Sequence, residues 1–388
     1  MKWGKIKVGD CCEVTSSKRI FFSEYVDSGV PFYRSKEIIE SSNGQAISEP
    51  LFISQEKYDE IKKHFGVPQP GDMLLTSVGT IGVPYIVREK DYFYFKDGNL
   101  TWFRNFSDEL DSKYLYFWVK SSEGQSVLNN TTIGSSQKAL TIASLKGLEI
   151  PCPPAPVQKR IVEILAGYDA LIENNQKQIK LLEEAAQRLY KEWFVDLRFP
   201  GHETTPIVDG VPEGWRKDEL KHIALLKAGG DRPKIFSKER TDQCTVPVFS
   251  NGTVNEGLYG YTDKAEIEDS CVTISARGSV GYTCLRKVGF VPIVRLIAAI
   301  PIAIDVEYLF FCLKNMTIDS NGAAQQQITV PMIKNKQIVL PSDDILKMFI
   351  CEVRPIMNLR ENLKLQMEKL IEARDRLLPK LMSGEIEV

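Results

Sequence analysis

The strongest constraint in this sequence is that its segments occur twice, in the same order. Residues 144–193 hold a short strand pattern punctuated by prolines and then a long amphipathic run, and residues 332–381 repeat that arrangement. Five earlier segments also recur. They are KWGKIKVGD (2–10) with GWRKDELKH (214–222), VPFYRS (30–35) with VPVFSN (246–251), TSVGTIG (76–82) with SARGSVG (275–281), DSKYLYFWVK (111–120) with DVEYLFFCLK (305–314), and TIGSSQKALT (132–141) with SNGAAQQQIT (320–329). Ordered matches of this kind indicate an ancient internal duplication.

Each copy has two parts, and a chain of 388 residues is long enough for more than one core. The first part shows short strand patterns broken by Gly, Asn, Ser and Pro, and the second has apolar residues three and four apart. We therefore expect a mixed α/β (α+β) fold with two globular domains and two long helical arms. The expected boundaries are 1–153 for the first domain, 154–196 for the central arm, 197–341 for the second domain and 342–388 for the C-terminal arm.

The arms carry one apolar stripe each. Pro355 in the second arm stands where the first has Gly167, so we expect both helices to bend or break there. At ~1.5 Å per residue, the remaining parts make rods of about 40 Å. A stripe of this length has to be buried, and we expect the arms to pack antiparallel as a coiled coil. The residues expected in this contact are Tyr168, Leu171, Ile172, Ile179, Leu182, Leu189, Met357, Leu363, Met367, Leu370, Leu377 and Leu381.

No pattern in the chain indicates catalysis. It lacks a G-x-x-x-x-G-K-[ST] phosphate loop, a G-x-S-x-G nucleophile motif and an H-E-x-x-H metal motif. The eight cysteines and three histidines are scattered without a C-x-x-C pair, so we expect reduced thiols, no metal and no cofactor. No apolar run reaches the roughly 18 residues of a membrane span, and residues 1–10 lack a signal-peptide core. We expect a cytoplasmic protein.

The remaining chemistry is polar and lies in predicted loops at equivalent places of both copies. A net charge of −2 argues against a wholly basic nucleic-acid coat but permits a local basic face. Arg and Lys contact phosphates and guanine, Asn and Gln pair with adenine, and Ser and Thr hold phosphates. The candidate DNA-binding residues are Lys18, Arg19, Arg34, Ser35, Lys36, Ser77, Thr80, Ser135, Ser136, Gln137 and Lys138 in the first copy, and Arg232, Lys234, Ser250, Asn251, Arg277, Ser279, Gln325, Gln326 and Gln327 in the second.

These motifs resemble those of the specificity (S) subunit of type I restriction–modification systems, and the resemblance covers essentially the whole chain. The second copy departs from the pattern because residues 343–346 read DDIL and offer no counterpart of Gln158, and Val157 stands where the family has an acidic residue. The segments that carry the resemblance are GDMLLTSVGTIG (71–82), GSSQKAL (134–140), IPCPPAPVQ (150–158), EWFVDLRFPGHE (192–203) and VPEGW (211–215).

The resemblance implies a non-catalytic subunit with two target-recognition domains, each reading one half of an asymmetric bipartite DNA sequence. It implies that the helical pair sets the spacer between the halves and docks two methyltransferase (M) subunits, with two restriction/translocase (R) subunits in the full complex. S-adenosylmethionine, ATP and Mg²⁺ are expected on those partners, whose assembly is an adenine-specific methyltransferase and ATP-dependent endonuclease. Rods of about 40 Å are commensurate with half-sites one DNA turn, about 34–36 Å, apart.

Two other hypotheses make different predictions. A protein-interaction scaffold with two ligand-binding globules would not show the steep salt dependence of DNA binding. An unrecognised nuclease or methyltransferase would turn over DNA when the purified chain is incubated alone with metal and methyl donor.

Overall fold

The structure is a computed structural model that describes residues 3–45, 47–134, 138–317 and 327–388. It contains two compact units, Met1–Lys177 with Lys364–Val388, and Gln178–Leu363. Each unit combines a globular part of strands and short helices with one segment from each of the two longest helices. The mixed α/β class predicted from the sequence is confirmed.

The first unit is built from short elements. In chain order they are β1 (Lys5–Lys7), α1 (Val8–Cys11), β2 (Glu13–Thr15), β3 (Tyr25–Val26), β4 (Val30–Tyr33), α2 (Ser35–Ser42), β5 (Leu51–Ile53), α3 (Gln55–His64), β6 (Met73–Thr76), β7 (Pro84–Ile86), β8 (Tyr94–Phe95), β9 (Leu100–Arg104), α4 (Ser112–Lys120), α5 (Ser122–Thr131), α6 (Ile142–Lys146), β10 (Glu149–Pro151) and the first part of α7 (Ala155–Tyr190). The strands form the antiparallel pair β1-β10, the antiparallel sheet β2-β9-β6-β7, and the sheet β3-β5-β4-β8, in which β4 and β8 are parallel.

The second unit contains a π-helical turn at Lys191–Val195, which continues α7. Its elements are β11 (Ile207–Val208), β12 (Val211–Pro212), β13 (Arg216–Glu219), α8 (Leu220–Ile223), β14 (Ala224–Ala228), β15 (Val246–Phe249), β16 (Leu258–Thr262), β17 (Cys271–Ile274), β18 (Thr283–Arg286), β19 (Val291–Pro292), β20 (Ile297–Pro301), α9 (Val306–Asn315), α10 (Val330–Ile333), β21 (Gln337–Leu340) and the first part of α11 (Asp343–Ser383).

The duplication is visible in the sheets. The pair β13-β21 corresponds to β1-β10, and the sheet β14-β20-β17-β18 corresponds to β2-β9-β6-β7. The sheet β16-β15-β19 contains a parallel pair, β15-β19, at the place of the parallel pair β4-β8. The helices predicted near residues 111–121 and 305–315 are α4 and α9. In α4, the Asp111 side chain caps the helix by accepting the backbone N–H of Lys113 and Tyr114.

In the first unit, α7 and α11 pack side by side in opposite directions. Ile161 and Leu165 of α7 share one buried core with Leu378 and Leu381 of α11. Further along α7, the Asp169 carboxylate accepts a hydrogen bond of 2.6 Å from Arg374, which precedes those leucines on α11. In this unit the two helix segments are therefore antiparallel.

The same sense of packing occurs in the second unit. Arg360 Nε donates to Glu183 Oε1 at 2.5 Å. Further along α7, Tyr190 packs against Phe349, which precedes Arg360 on α11, with 6.1 Å between ring centroids. Val353 and Met357 belong to the same core, and both are fully buried. Burial of these aromatic and aliphatic faces stabilises the pair through the hydrophobic effect.

Neither helix breaks at Gly167 or Pro355, so a break there is the wrong expectation. The helices run without interruption for 36 and 41 residues, a rise of about 54 and 62 Å, whereas the rods of about 40 Å counted only the parts beyond a break. Pro355 lies between Val353 and Met357, whose burial in the core outweighs the hydrogen bond that proline cannot donate. Gly167 is exposed, and a glycine there costs the helix only about 1 kcal/mol.

The arm residues predicted to pack differ in burial. Leu171 is 52% exposed, so its prediction is wrong: it neighbours Ile172, and successive helical residues point about 100° apart. Ile172, Met357, Leu363 and Leu381 are buried, and Tyr168, Ile179, Leu182, Leu189, Met367, Leu370 and Leu377 are half-buried. The four segment boundaries given above stay a prediction. In the part of the chain that the structure describes, no helix has an apolar stretch that could cross a membrane.

Phe349→Ala tests this core. Phe349 is fully buried, and its ring contacts those of Tyr190, Trp193, Phe194, Tyr308 and Phe311. We expect a loss of about 3–5 kcal/mol in the free energy of unfolding, measured by urea denaturation. The matched control is Leu359→Ala on the same helix, 48% exposed, with an expected change within about 0.5 kcal/mol. Equal losses from both variants would contradict this account.

Candidate nucleic-acid interface

In the first unit, hydrogen bonds join the predicted DNA-binding loops into one band. We call it the first loop belt, and it consists of residues 16–19, 35–36, 77–82, 97–99 and 138–140. The Ser35 hydroxyl and the Ser77 backbone N–H both donate to the carbonyl oxygen of Asn99, at 3.4 and 2.8 Å. The Leu140 N–H donates to the carbonyl of Ser77 at 2.9 Å. The belt thus lies where β2 and β6 end and β9 begins.

The second unit has an equivalent band, the second loop belt, consisting of residues 229–234, 250–251, 275–281, 293–295 and 327–328. Asn251 is its central brace, because its Nδ2 donates to the carbonyl of Val294 and its Oδ1 accepts the N–H of Ala276, both at 2.7 Å. The Val294 N–H donates to Gly230 O, and the Ile328 N–H donates to Ala276 O, both at 2.9 Å.

The two belts share a backbone framework but not their side chains. The repeat pairs Ser77 with Ala276, and the carbonyl oxygen of each accepts a backbone N–H, from Leu140 and from Ile328 at matching positions. The repeat also pairs Ser35 with Asn251, and both side chains hydrogen-bond backbone of their own belt. A constant framework therefore supports two different sets of exposed groups.

Each belt contains a tight turn whose residues are largely exposed. Gly79 and Gly278, at matching positions, have φ angles of +78° and +68°, in the left-handed region that glycine adopts without strain. The turn connects β6 to β7 in the first unit and β17 to β18 in the second, as the sequence predicts. It leaves Thr80 in one belt, and Arg277 and Ser279 in the other, exposed.

The structure places most of the predicted residues at the surface. Arg34, Ser35, Ser250 and Asn251 are half-buried, and Ser77 is buried. Five candidates, Ser135, Ser136, Gln137, Gln325 and Gln326, lie outside the described residues. The exposed candidates are Lys18, Arg19, Lys36, Thr80, Lys138, Arg232, Lys234, Arg277, Ser279 and Gln327.

Three candidates have internal hydrogen-bond partners. The Ser77 hydroxyl is 2.7 Å from Thr101 Oγ1 and donates to the Leu75 carbonyl, so it belongs to the core. Asn251 uses its carbonyl oxygen and its amide nitrogen as the brace described above. The Arg34 guanidinium donates to the fully buried Glu37 at 2.6 Å, and the backbone N–H of Arg34 donates to the same carboxylate, which caps α2. Such a charged side chain would leave Glu37 unpaired if it turned toward DNA.

Other cationic groups have weaker ties. Arg19 pairs with Asp97 at 2.8 Å and Lys36 with Glu49 at 3.0 Å, in exposed ion pairs that contribute about 0–1 kcal/mol and exchange readily. Arg232 lies over the ring of Phe236, 5.0 Å from its centroid. Arg277 is exposed, and none of the ion pairs among the described residues includes it.

Sequence reasoning missed two features, one beside the first belt and one in the second. Phe21 is 61% exposed and Phe22 88% exposed, and only Ile20 separates them from the belt residues Lys18 and Arg19. Two adjacent phenylalanines inside a polar stretch were the available signal, because exposed apolar patches mark interaction surfaces. Arg295 is exposed with a φ of +63° in the second belt, and a single sequence holds no signal for that backbone conformation.

Among the described residues, no group of three or more His, Cys, Asp or Glu side chains could hold a metal ion. Burial raises the pKa of the Cys312 thiol to about 12, so this group is protonated and unreactive at neutral pH. Two histidines are engaged locally, His202 with the Phe199 carbonyl at 2.9 Å and His222 with Asp218 at 2.7 Å.

The sequence of this chain is similar to the sequences of several known proteins. A family model for the type I restriction modification DNA specificity domain matches residues 1–184 and 212–347. The chain is 28% identical to the MjaIX specificity subunit of Methanocaldococcus jannaschii, over 100% of this chain and 94% of that protein. It is 24% identical to the putative MjaX specificity subunit of the same organism, over 93% and 88% of the two chains.

A solved structure shares the fold. The crystal structure of a type I restriction–modification system S subunit from M. genitalium matches with a TM-score of 0.62 at 15% identity, over 98% of this chain and 96% of that one. One of the two stretches matched by the family model falls in each copy of the internal repeat, and the second stretch ends at residue 347, before the second copy does. The chain therefore belongs to the type I restriction–modification DNA specificity family.

Proposed function

We propose that this chain is the DNA-binding specificity subunit of a type I restriction–modification complex, with no catalytic role of its own. The pair of loop belts carries the proposal: one hydrogen-bonded framework occurs in both units and presents different polar side chains. Each belt reads one half of a bipartite target. Because the exposed groups of the belts differ, the two half-sites differ in sequence, and the target is asymmetric.

The exposed groups divide by chemistry. Arg277, at the tip of its turn, reads a guanine edge through two hydrogen bonds, as an unpaired guanidinium does in a major groove. Lys18, Lys138, Arg232 and Lys234 contact phosphates and set the register. Thr80, Ser279 and Gln327 supply further hydrogen bonds, and Ser135, Ser136, Gln137, Gln325 and Gln326 are candidates on the sequence alone. We leave Ser77, Asn251 and Arg34 out of the direct contacts because of their internal partners.

The long helices set the spacer between half-sites and dock the partner subunits. α7 and α11 bury one face in each unit but leave large apolar residues exposed, namely Leu171, Leu181, Leu359 and Leu365. Exposed leucines on rigid helices suit a protein contact. We propose two methyltransferase subunits as the partners, joined by two restriction subunits, with S-adenosylmethionine, ATP and Mg²⁺ bound by those subunits.

Arg277→Gln tests direct reading. With the chain bound to its methyltransferase subunits, and a target identified by mapping methylated adenines, we expect roughly 10–100-fold weaker binding to the target. The control Arg216→Gln removes the same charge from β13 of the same unit, outside the belt, and we expect almost no effect. Binding that does not weaken as salt rises would favour a protein scaffold over a DNA reader.

A domain exchange tests the assignment of half-sites. Replacing the segment before Pro151 with that of a related specificity subunit exchanges the whole first belt and leaves the second intact. We expect the methylated motif to change in one half only. The measurement is adenine methylation mapped along genomic DNA from cells that carry the hybrid, and a motif with both halves unchanged would refute the assignment.

Matched insertions test the spacer. Seven residues inserted after Lys177 and seven after Leu363 lengthen both helices where the two units divide and retain the apolar periodicity. The added length is about 10.5 Å, so we expect a gap about three base pairs longer. A seven-residue insertion at the exposed Asp209–Gly210 turn is the control, and it should leave the gap unchanged. An unaltered gap in the helix variant would remove the helices from this role.

A further inference from the structure

A turn in the second unit holds a backbone conformation that its residues disfavour. In the segment Ser250–Gly257, the turn segment, Asn255 and Glu256 have φ angles of +47° and +53°, in the left-handed region. Left-handed φ angles are sterically unfavourable for non-glycine residues, so two such residues in succession need stabilising contacts from their surroundings. Val254 at the tip is 79% exposed, so the strain does not arise from burying the tip.

The support comes from Glu256. Its backbone carbonyl accepts a hydrogen bond of 2.6 Å from Arg286 Nη2, and its carboxylate lies 3.4 Å from Nη1 of the same arginine. Its other carboxylate oxygen accepts a hydrogen bond of 3.1 Å from Arg360 of α11. Glu256 is thus held from the β18 side and from the helix side at once.

Both arginines are buried and fully engaged. Arg286 is 4% exposed, donates to Thr273 Oγ1 and lies 3.7 Å from the centroid of the Phe249 ring. Arg360 is 6% exposed and also pairs with Glu183 of α7 at 2.5 Å. Although burial disfavours its charge, the nearby carboxylates of Glu183, Glu361 and Glu256 raise the pKa of Arg360, which stays cationic.

The turn segment leads directly into the second loop belt. It contains Asn251, the brace that bonds Val294 and Ala276. The Ser250 N–H donates to the Gly257 carbonyl at 2.8 Å and closes the segment on itself. A continuous chain of contacts therefore runs from α7 and α11 through Arg360 and Glu256 to the belt.

We infer that Glu256 is a positioning residue for the second half-site: tied to Arg286 and Arg360, it holds the turn segment and, through Asn251, the second loop belt in the conformation that reads DNA. This inference rests on the proposed function. It adds that the helix which sets the spacer also sets the shape of one reading surface.

The described residues of the first unit contain no counterpart of these Glu256 contacts. The repeat places Ser35 at the position of Asn251, and there the chain forms the regular helix α2 instead of a strained turn. It places Ile172 at the position of Arg360, and Ile172 lines an open cleft of about 530 Å³ together with Asn43, Arg88 and Lys120. Loss of the Glu256 contacts should therefore affect one half-site and spare the other.

Glu256→Gln is the test variant, because it keeps the shape of the side chain and removes its charge. The complex of the full chain with its methyltransferase subunits is given a randomised duplex library, and methylated adenines define the preference at each half-site. We expect discrimination at the second half-site to fall by about tenfold, the order of one base contact, with the first half-site unchanged. Arg360→Met should have the same effect, and the double variant should be no worse than either single one.

The control is Glu266→Gln, the same change in the same unit, at an exposed glutamate that pairs with Lys227 at 2.7 Å. It should behave as wild type. A second measurement needs no DNA: in the free chain, Glu256→Gln should speed hydrogen exchange of the Ser250 amide about tenfold, because opening of the turn segment becomes easier.

Unchanged discrimination at the second half-site, or equal losses at both half-sites, would overturn the inference, and so would an unchanged Ser250 exchange rate. A wild-type complex with no sequence preference at either half-site would overturn the proposed function itself. The two failures are distinguishable because only the second appears without any substitution.

Discussion

Burial of one helix face against another is the constraint on which each unit depends. α7 and α11 each carry an apolar face whose exposure to water is unfavourable, and in each unit a segment of one helix covers a segment of the other. Ion pairs also join the two helices: Asp169 pairs with Arg374 in the first unit, and Glu183 pairs with Arg360 in the second. These pairs define the register of the helices, because any slip would leave a largely buried arginine without its carboxylate.

In each globular part, the groups that build the loop belt are different from the groups that face solvent. Backbone hydrogen bonds at Ser77 and at Ala276 build the same belt in both units, whereas the groups that face solvent differ. Side chains can change at such a surface with little effect on the core beneath, since exposed substitutions usually alter stability by less than about 0.5 kcal/mol. Asn251 is the exception, since its side chain is part of the framework.

The two copies have nevertheless diverged in how belt and helix are connected. The first unit uses the regular helix α2, whose N-terminus is capped through Glu37, beside an open cleft. The second uses a strained turn that buried ions hold in place. Gln158 shows a related divergence. It is buried and bonds the N–H of Asp111, whereas the equivalent Asp305 pairs with Arg354.

The sequence by itself determined the duplication, the mixed α/β class, the two long helices and the polar loops, because these follow from local periodicity and from comparison of the chain with itself. Only the tertiary structure decided that α11 continues through Pro355, that Leu171 faces solvent, and that Ser77 and Asn251 serve the framework. Those outcomes depend on neighbours distant in sequence. Arg360 and Glu256, which meet across 104 residues, are an example that no local pattern predicts. Packing and charge pairing act through space, and a single sequence records only what is adjacent along the chain.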